Sequence, residues 1–167
     1  MKNEVKTFAF WGGADLSPEL YGEPNLGSHV NKRQDDADSQ MYLDALSAVK
    51  DGPVVCVGIC RGCQWLYVMS GGKLVQHYKD QHTTLHGVDQ YTWLVTSTHH
   101  QSCKPPPPKG LSITLTHNGI VEAYEGMNVD GIYCVGFQFH PEMMPPDCEA
   151  VKWANERIKL SGSDFRI

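Results

Sequence analysis

The chain has little with which to grip a nucleic acid or a bilayer. Its 167 residues carry 14 lysines and arginines against 19 aspartates and glutamates, a formal net charge of -5. The basic footprint that phosphate backbones demand is therefore missing, and no nucleic-acid partner is expected. No run approaches the roughly 20 consecutive apolar residues that cross a bilayer. The opening Met1-Lys2-Asn3-Glu4 begins no apolar leader, so the six cysteines read as free thiols of a reducing compartment, not as a disulfide framework. A cytoplasmic protein without a membrane partner is the expectation. There is no internal repeat, and Pro105 to Pro108 reads as a stiff surface connection, not a linker. One domain over residues 1–167 follows, long enough to bury roughly two-thirds of its extended surface.

Strand and helix patterns alternate along it. Val5 to Phe10 reads as a short strand, Asp36 to Lys50 as a helix, Val54 to Val57 as a strand, and Gly62 to Ser70 as an apolar helix stopped by Gly71-Gly72. Tyr91 to Thr96, Leu111 to Thr116, Val121 to Tyr124 and Ile132 to Phe139 look like strands. His117-Asn118-Gly119 should join the middle two as a hairpin. Asp147 to Leu160 reads as a closing helix.

Two segments carry chemistry. In Gly58-Ile59-Cys60-Arg61-Gly62-Cys63-Gln64 a glycine stands two residues either side of Cys60, after an apolar strand and before a helix. This is the sulfur version of a nucleophile elbow, with the helix N-terminus favouring thiolate. A thiolate cleaving an amide needs an imidazole to protonate the leaving amine, and that imidazole needs an orienting partner. His140 and Glu142 in His140-Pro141-Glu142 meet both needs if Pro141 keeps the segment extended and the two side chains share one side. Cys56 and Cys134, in apolar strands, read as structural.

With Gly12-Gly13-Ala14-Asp15-Leu16-Ser17-Pro18-Glu19-Leu20-Tyr21-Gly22-Glu23 these segments resemble the class I glutamine amidotransferase superfamily. Within it, the chain is most similar to the gamma-glutamyl-gamma-aminobutyrate hydrolase family. Gly71-Gly72-Lys73-Leu74, His86-Gly87-Val88, Ser97-Thr98-His99-His100-Gln101 and His140-Pro141-Glu142 match in the same order. The resemblance implies an α/β flavodoxin-like three-layer sandwich with a mostly parallel central sheet. A strand, a helix and a further strand normally precede the glycine loop, which here starts twelve residues in, so a fold shortened at its N-terminus is expected. The exposed sheet edge would be covered by a second copy or a synthase subunit.

The resemblance also implies roles. Gly13 and Arg61 would donate backbone N–H groups to the oxyanion, with Gly12 beside them at the substrate. Gln64, one helical turn beyond Cys60, would contact the glutamyl portion, and His99, His100 and Gln101 would shape the cleft. The Arg61 side chain could hold a carboxylate or pair with a surface acid. The expected chemistry is cleavage of a small-molecule gamma-glutamyl amide through a thioester on Cys60, with no metal or organic cofactor. A glutaminase subunit feeding ammonia to a synthase is the alternative, and an inactive scaffold a third. A rival reading takes Cys60-x-x-Cys63 as a redox pair, or His77, His82, His86, His99 and His100 as a source of metal ligands. No second C-x-x-C supports it.

Overall fold

A computed structural model describes residues 4–77, 85–96 and 98–167. A five-stranded sheet has the order β1-β2-β9-β8-β7, where β1 is Lys6–Phe10, β2 Val54–Ile59, β7 Leu111–His117, β8 Ile120–Met127 and β9 Ile132–Phe137. Helices α1 (Lys32–Ala48) and α2 (Arg61–Met69) share a core with one face, and α3 (Glu149–Leu160) covers the other. Strand β2 shows why the three layers form. All six of its residues are buried, Val54 and Cys56 packing with α1 and α2, Val55 and Val57 with α3. A continuous apolar run of this kind is what a strand covered on both faces requires.

The sheet is mixed. β1 and β9 flank β2 in parallel, whereas β9, β8 and β7 pair antiparallel. The expected parallel character thus holds around β2, and short turns reverse the rest, since two strands joined by a tight turn can pair only antiparallel. Asn118 (φ 48°) and Gly119 (φ 81°) both adopt the left-handed conformation between β7 and β8, as a two-residue hairpin turn demands. β1 is an edge strand of this sheet. Two small ribbons stand apart, β3 (Lys73–Val75) with β6 (Ser102–Lys104) and β4 (Leu85–Val88) with β5 (Tyr91–Thr96).

Helix α1 begins four residues before the expected Asp36, because the Asn31 side chain accepts a hydrogen bond from the Gln34 N–H at 3.3 Å and caps it. No described helix is long and apolar enough to cross a membrane.

Candidate active site

Strand β2 delivers Cys60 to the start of α2 with a backbone that few side chains accept. Cys60 has φ 53° and ψ -108°, a conformation that costs on the order of 1–3 kcal/mol and persists only where its surroundings impose it. They do so here. The Cys60 N–H donates to the Phe137 carbonyl of β9 at 2.7 Å, and its own carbonyl accepts from the Gln64 N–H at 3.2 Å. The flanking glycines serve this packing. A Cβ on Gly58 would strike the Gly62 carbonyl, and one on Gly62 would strike the Phe10 carbonyl at the end of β1. Their absent side chains let the elbow seat on the sheet, which is a stronger demand than space for a substrate.

His140 follows β9 and lies beside Cys60. Its Nδ1 is 2.7 Å from Glu142 Oε1, and the ring is also influenced by a hydrogen bond with Cys60. That bond, then the bond to Glu142, raises the imidazole from its ordinary 6.5 to about 10, against the lowering effect of burial. The His–Glu contact is made, but not by an extended segment. Pro141–Met143 forms one 3-10 turn, which suits a proline at its first position, and the turn swings Glu142 back beneath the ring. Thr96 at the end of β5 braces the turn, its carbonyl accepting from the His140 N–H at 3.3 Å.

The thiol opens onto a pocket of about 260 Å3 whose lining includes Gly13, Asp15, Arg61, Gln64, His99 and His100. Gly12 stands closer still to Cys60 and His140, where an added Cβ would lie 3.0 Å from His140 Cε1 and 3.7 Å from the Cys60 Cβ. Arg61 borders the pocket but turns its guanidinium away from it. The side chain is buried against Asp35 (2.5 Å) and Asp38, both on α1, and stacks over Trp65 at 5.4 Å. Arg61 does hold carboxylates, but they are the protein's own, and they are buried, not surface acids. Burial raises the Asp38 carboxyl while Arg61 opposes the shift.

The cleft residues divide. His100 Nδ1 is 3.0 Å from Asp15 Oδ2, and its Nε2 is 2.7 Å from His77 Nδ1. His99 Nδ1 contacts the Gln101 carbonyl at 2.8 Å, and its Nε2 lies 3.7 Å from the fully buried Glu122 of β8. Gln64 spends its amide group on the Gln101 carbonyl (2.7 Å) and Gln138 (3.1 Å), leaving its oxygen toward other partners. Gln101 is fully buried and outside the pocket lining. Its side chain accepts from the Leu16 N–H at 2.9 Å and donates to the Leu16 carbonyl at 3.1 Å, so it braces the glycine loop. Asp15 was visible within the glycine motif but had no assigned role. Glu122 gave no signal, because one acid inside an apolar strand has no periodicity to betray it.

The redox reading loses its second thiol. Cys63 is fully buried, and burial first, then Cys103, pushes its thiol well above the ordinary range. Cys56 and Cys134 are structural as expected, burial raising Cys134 to about 12. Among the described residues no group of three or more His, Cys, Asp or Glu could hold a metal ion. His82 and Ser97 lie outside the described residues.

A family model described as Peptidase C26 matches residues 1–94 and 85–142. Protein NtpR of Enterococcus hirae is 31% identical over 168 aligned residues, covering 84% of this chain and 68% of the relative. A putative glutamine amidotransferase-like protein, YvdE of Lactococcus lactis subsp. lactis, is 29% identical over 164 residues, covering 83% and 66% respectively. The chain thus spans about two thirds of the length of these curated relatives. The fold is similar to a solved glutamine amidotransferase from Thermotoga maritima, with a TM-score of 0.53 at 16% identity over 83% of this chain and 64% of that one.

Proposed function

The chain belongs to the Peptidase C26 family, within the class I glutamine amidotransferase superfamily, and from that membership we propose that it cleaves the amide bond of a small-molecule gamma-glutamyl substrate through a thioester on Cys60. The family supports a cysteine-dependent hydrolase or amidotransferase acting on carbon–nitrogen bonds. The observation that carries the proposal is the hydrogen-bonded line from Cys60 through His140 to Glu142 at the edge of the pocket.

In this mechanism the Cys60 sulfur, its proton held by His140, attacks the amide carbon, and the carbonyl electron pair moves to oxygen. The N–H groups of Gly13 and Arg61 receive that oxyanion. His140 passes its proton to the amide nitrogen, the C–N bond breaks, and ammonia or an amine departs. Water then attacks the thioester and gives a proton to the imidazole. The C–S bond breaks, freeing the gamma carboxylate and restoring Cys60. Glu142 keeps the imidazole aimed and stabilises its charge without taking the proton. Gln64, His99 and His100 form the pocket walls against which the glutamyl portion lies, with Gly12 leaving room beside the imidazole. No step calls for a metal or an organic cofactor.

A second reading makes the chain a glutaminase subunit that hands ammonia to a synthase. It is favoured by the likeness to YvdE, a putative glutamine amidotransferase-like protein. Product analysis separates the two. Release of amines from a panel of gamma-glutamyl amines by the pure chain supports the hydrolase. Turnover of glutamine alone, rising when a synthase is added, supports the subunit. No product from either, with Cys60 intact, leaves the catalytically silent scaffold.

A further inference from the structure

The first turn of α1 touches both segments that flank the nucleophile. The Gln34 side-chain amide donates to the Gly12 carbonyl at 3.2 Å, and a Cβ on Gly13 would overlap that amide. One residue on, Asp35 accepts from the Ser17 hydroxyl of the same glycine loop and from the Arg61 guanidinium of the elbow at 2.5 Å. Asp38, one turn later, takes the other arm of the guanidinium. The glycine loop and the elbow are thereby fastened to one rigid element.

We infer that Gln34 and Asp35 are positioning residues that preset the oxyanion hole, Gln34 by fixing the orientation of the Gly12–Gly13 peptide and Asp35 by locking the glycine loop to the elbow. The inference rests on the thioester reading above. The Gly12–Gly13 peptide is trans, and in a trans peptide the carbonyl and the following N–H point in opposite directions. With the Gly12 carbonyl drawn to Gln34, the Gly13 N–H faces away from α1 and into the pocket it borders. Glycine on both sides of this bond leaves the peptide with little resistance of its own to turning over. The Gln34 donor supplies the preference. Arg61 contributes twice, its N–H at the hole and its guanidinium as the anchor that Asp35 and Asp38 hold. A donor preset in this way costs no reorganisation when charge develops on the substrate oxygen, which is why such donors act strongly.

Gln34→Glu tests this, because a carboxylate of the same length cannot donate to the Gly12 carbonyl and repels it. Three readouts are taken on the full chain: turnover of a gamma-glutamyl amide, inhibition by the aldehyde 5-oxopentanoate, and alkylation of Cys60 by iodoacetamide. The aldehyde forms a tetrahedral adduct whose oxygen needs the hole, whereas displacement of iodide at a saturated carbon does not. The expected result is a loss of about 100-fold in kcat with little change in KM, the size seen when one oxyanion donor is removed. Aldehyde inhibition should weaken by a similar factor while the alkylation rate holds. Ser17→Ala, which cuts the glycine loop from Asp35, should show the same split at a smaller size, about tenfold. Equal loss of turnover and alkylation would mean that the nucleophile itself has moved and would overturn the inference, as would unchanged turnover in Gln34→Glu. If the wild-type chain neither turns over the amide nor binds the aldehyde while iodoacetamide still labels Cys60, the thioester reading itself falls and the inference with it.

Discussion

The proposed nucleophile and its proposed acid–base partner are held in unlike ways. Residues 58–64 are buried throughout, with a strained Cys60 backbone, glycines pressed on neighbouring carbonyls and an ion-paired Arg61 beneath. His140 and Glu142 sit on a single 3-10 turn, their side chains 13% and 29% exposed. The sulfur is placed by the fold, whereas the imidazole is placed by its hydrogen bonds to Cys60 and Glu142. Damage to the elbow should therefore cost structure and activity together, and damage to the turn should cost activity while leaving the packed core in place.

The sharpest way to break that contrast is at its two ends. His140→Ala should lose nearly all turnover, about 10^4-fold or more where an acid–base partner of this kind is removed, while its stability stays within about 1 kcal/mol of the wild type above about pH 10, where the proton on the ring no longer contributes. A large fall in Tm at that pH would show that the turn is as structural as the elbow. Arg61→Ala should do what His140→Ala does not. It leaves Asp35 and Asp38 buried without their cation, and breaking a buried pair from one side costs about 3–5 kcal/mol. Denaturant unfolding that shifts by less than about 1 kcal/mol would show that the acids find other partners.

The same contrast explains what was legible in the sequence. The elbow, the His-Pro-Glu segment and the flanking strands could be read because glycine spacing and apolar runs report buried backbone directly. The start of α1 could not, since Lys32, Arg33, Gln34 and Asp35 show no apolar periodicity and the start signal lay in the Asn31 cap. Those four residues include the two that fasten the glycine loop and the elbow. Gln101 was misjudged for a related reason: a polar loop residue beside two histidines looks like a ligand contact, and only the fold shows both ends of its amide engaged on Leu16. The geometry of Glu142 was right in outcome and wrong in route, because a proline that begins a 3-10 turn has the same sequence as one that keeps a strand extended.

Smaller effects sharpen the comparison. Glu142→Gln should keep the fold and a residue of activity, since the orienting partner assists without moving the proton, and a wild-type rate would remove Glu142 from the site. The pH dependence is the finest probe. The folded His140 is raised from 6.5 to about 10, so its contribution to stability is complete below about 6.5 and disappears as pH climbs through about 10. Thermal scans from pH 6 to 10.5 should show the wild-type chain losing more Tm at the alkaline end than His140→Ala. Parallel curves would mean that the ring gains no proton affinity on folding.

The central claim is a gamma-glutamyl thioester on Cys60, and trapping a covalent intermediate tests it most directly. The chain should be exposed to a diazo-ketone analogue of glutamine, digested, and mapped by mass spectrometry. The account predicts a single adduct on Cys60, absent from Cys60→Ala, which should also have no turnover. An adduct carried mainly by Cys63, or full activity in Cys60→Ala, would contradict it.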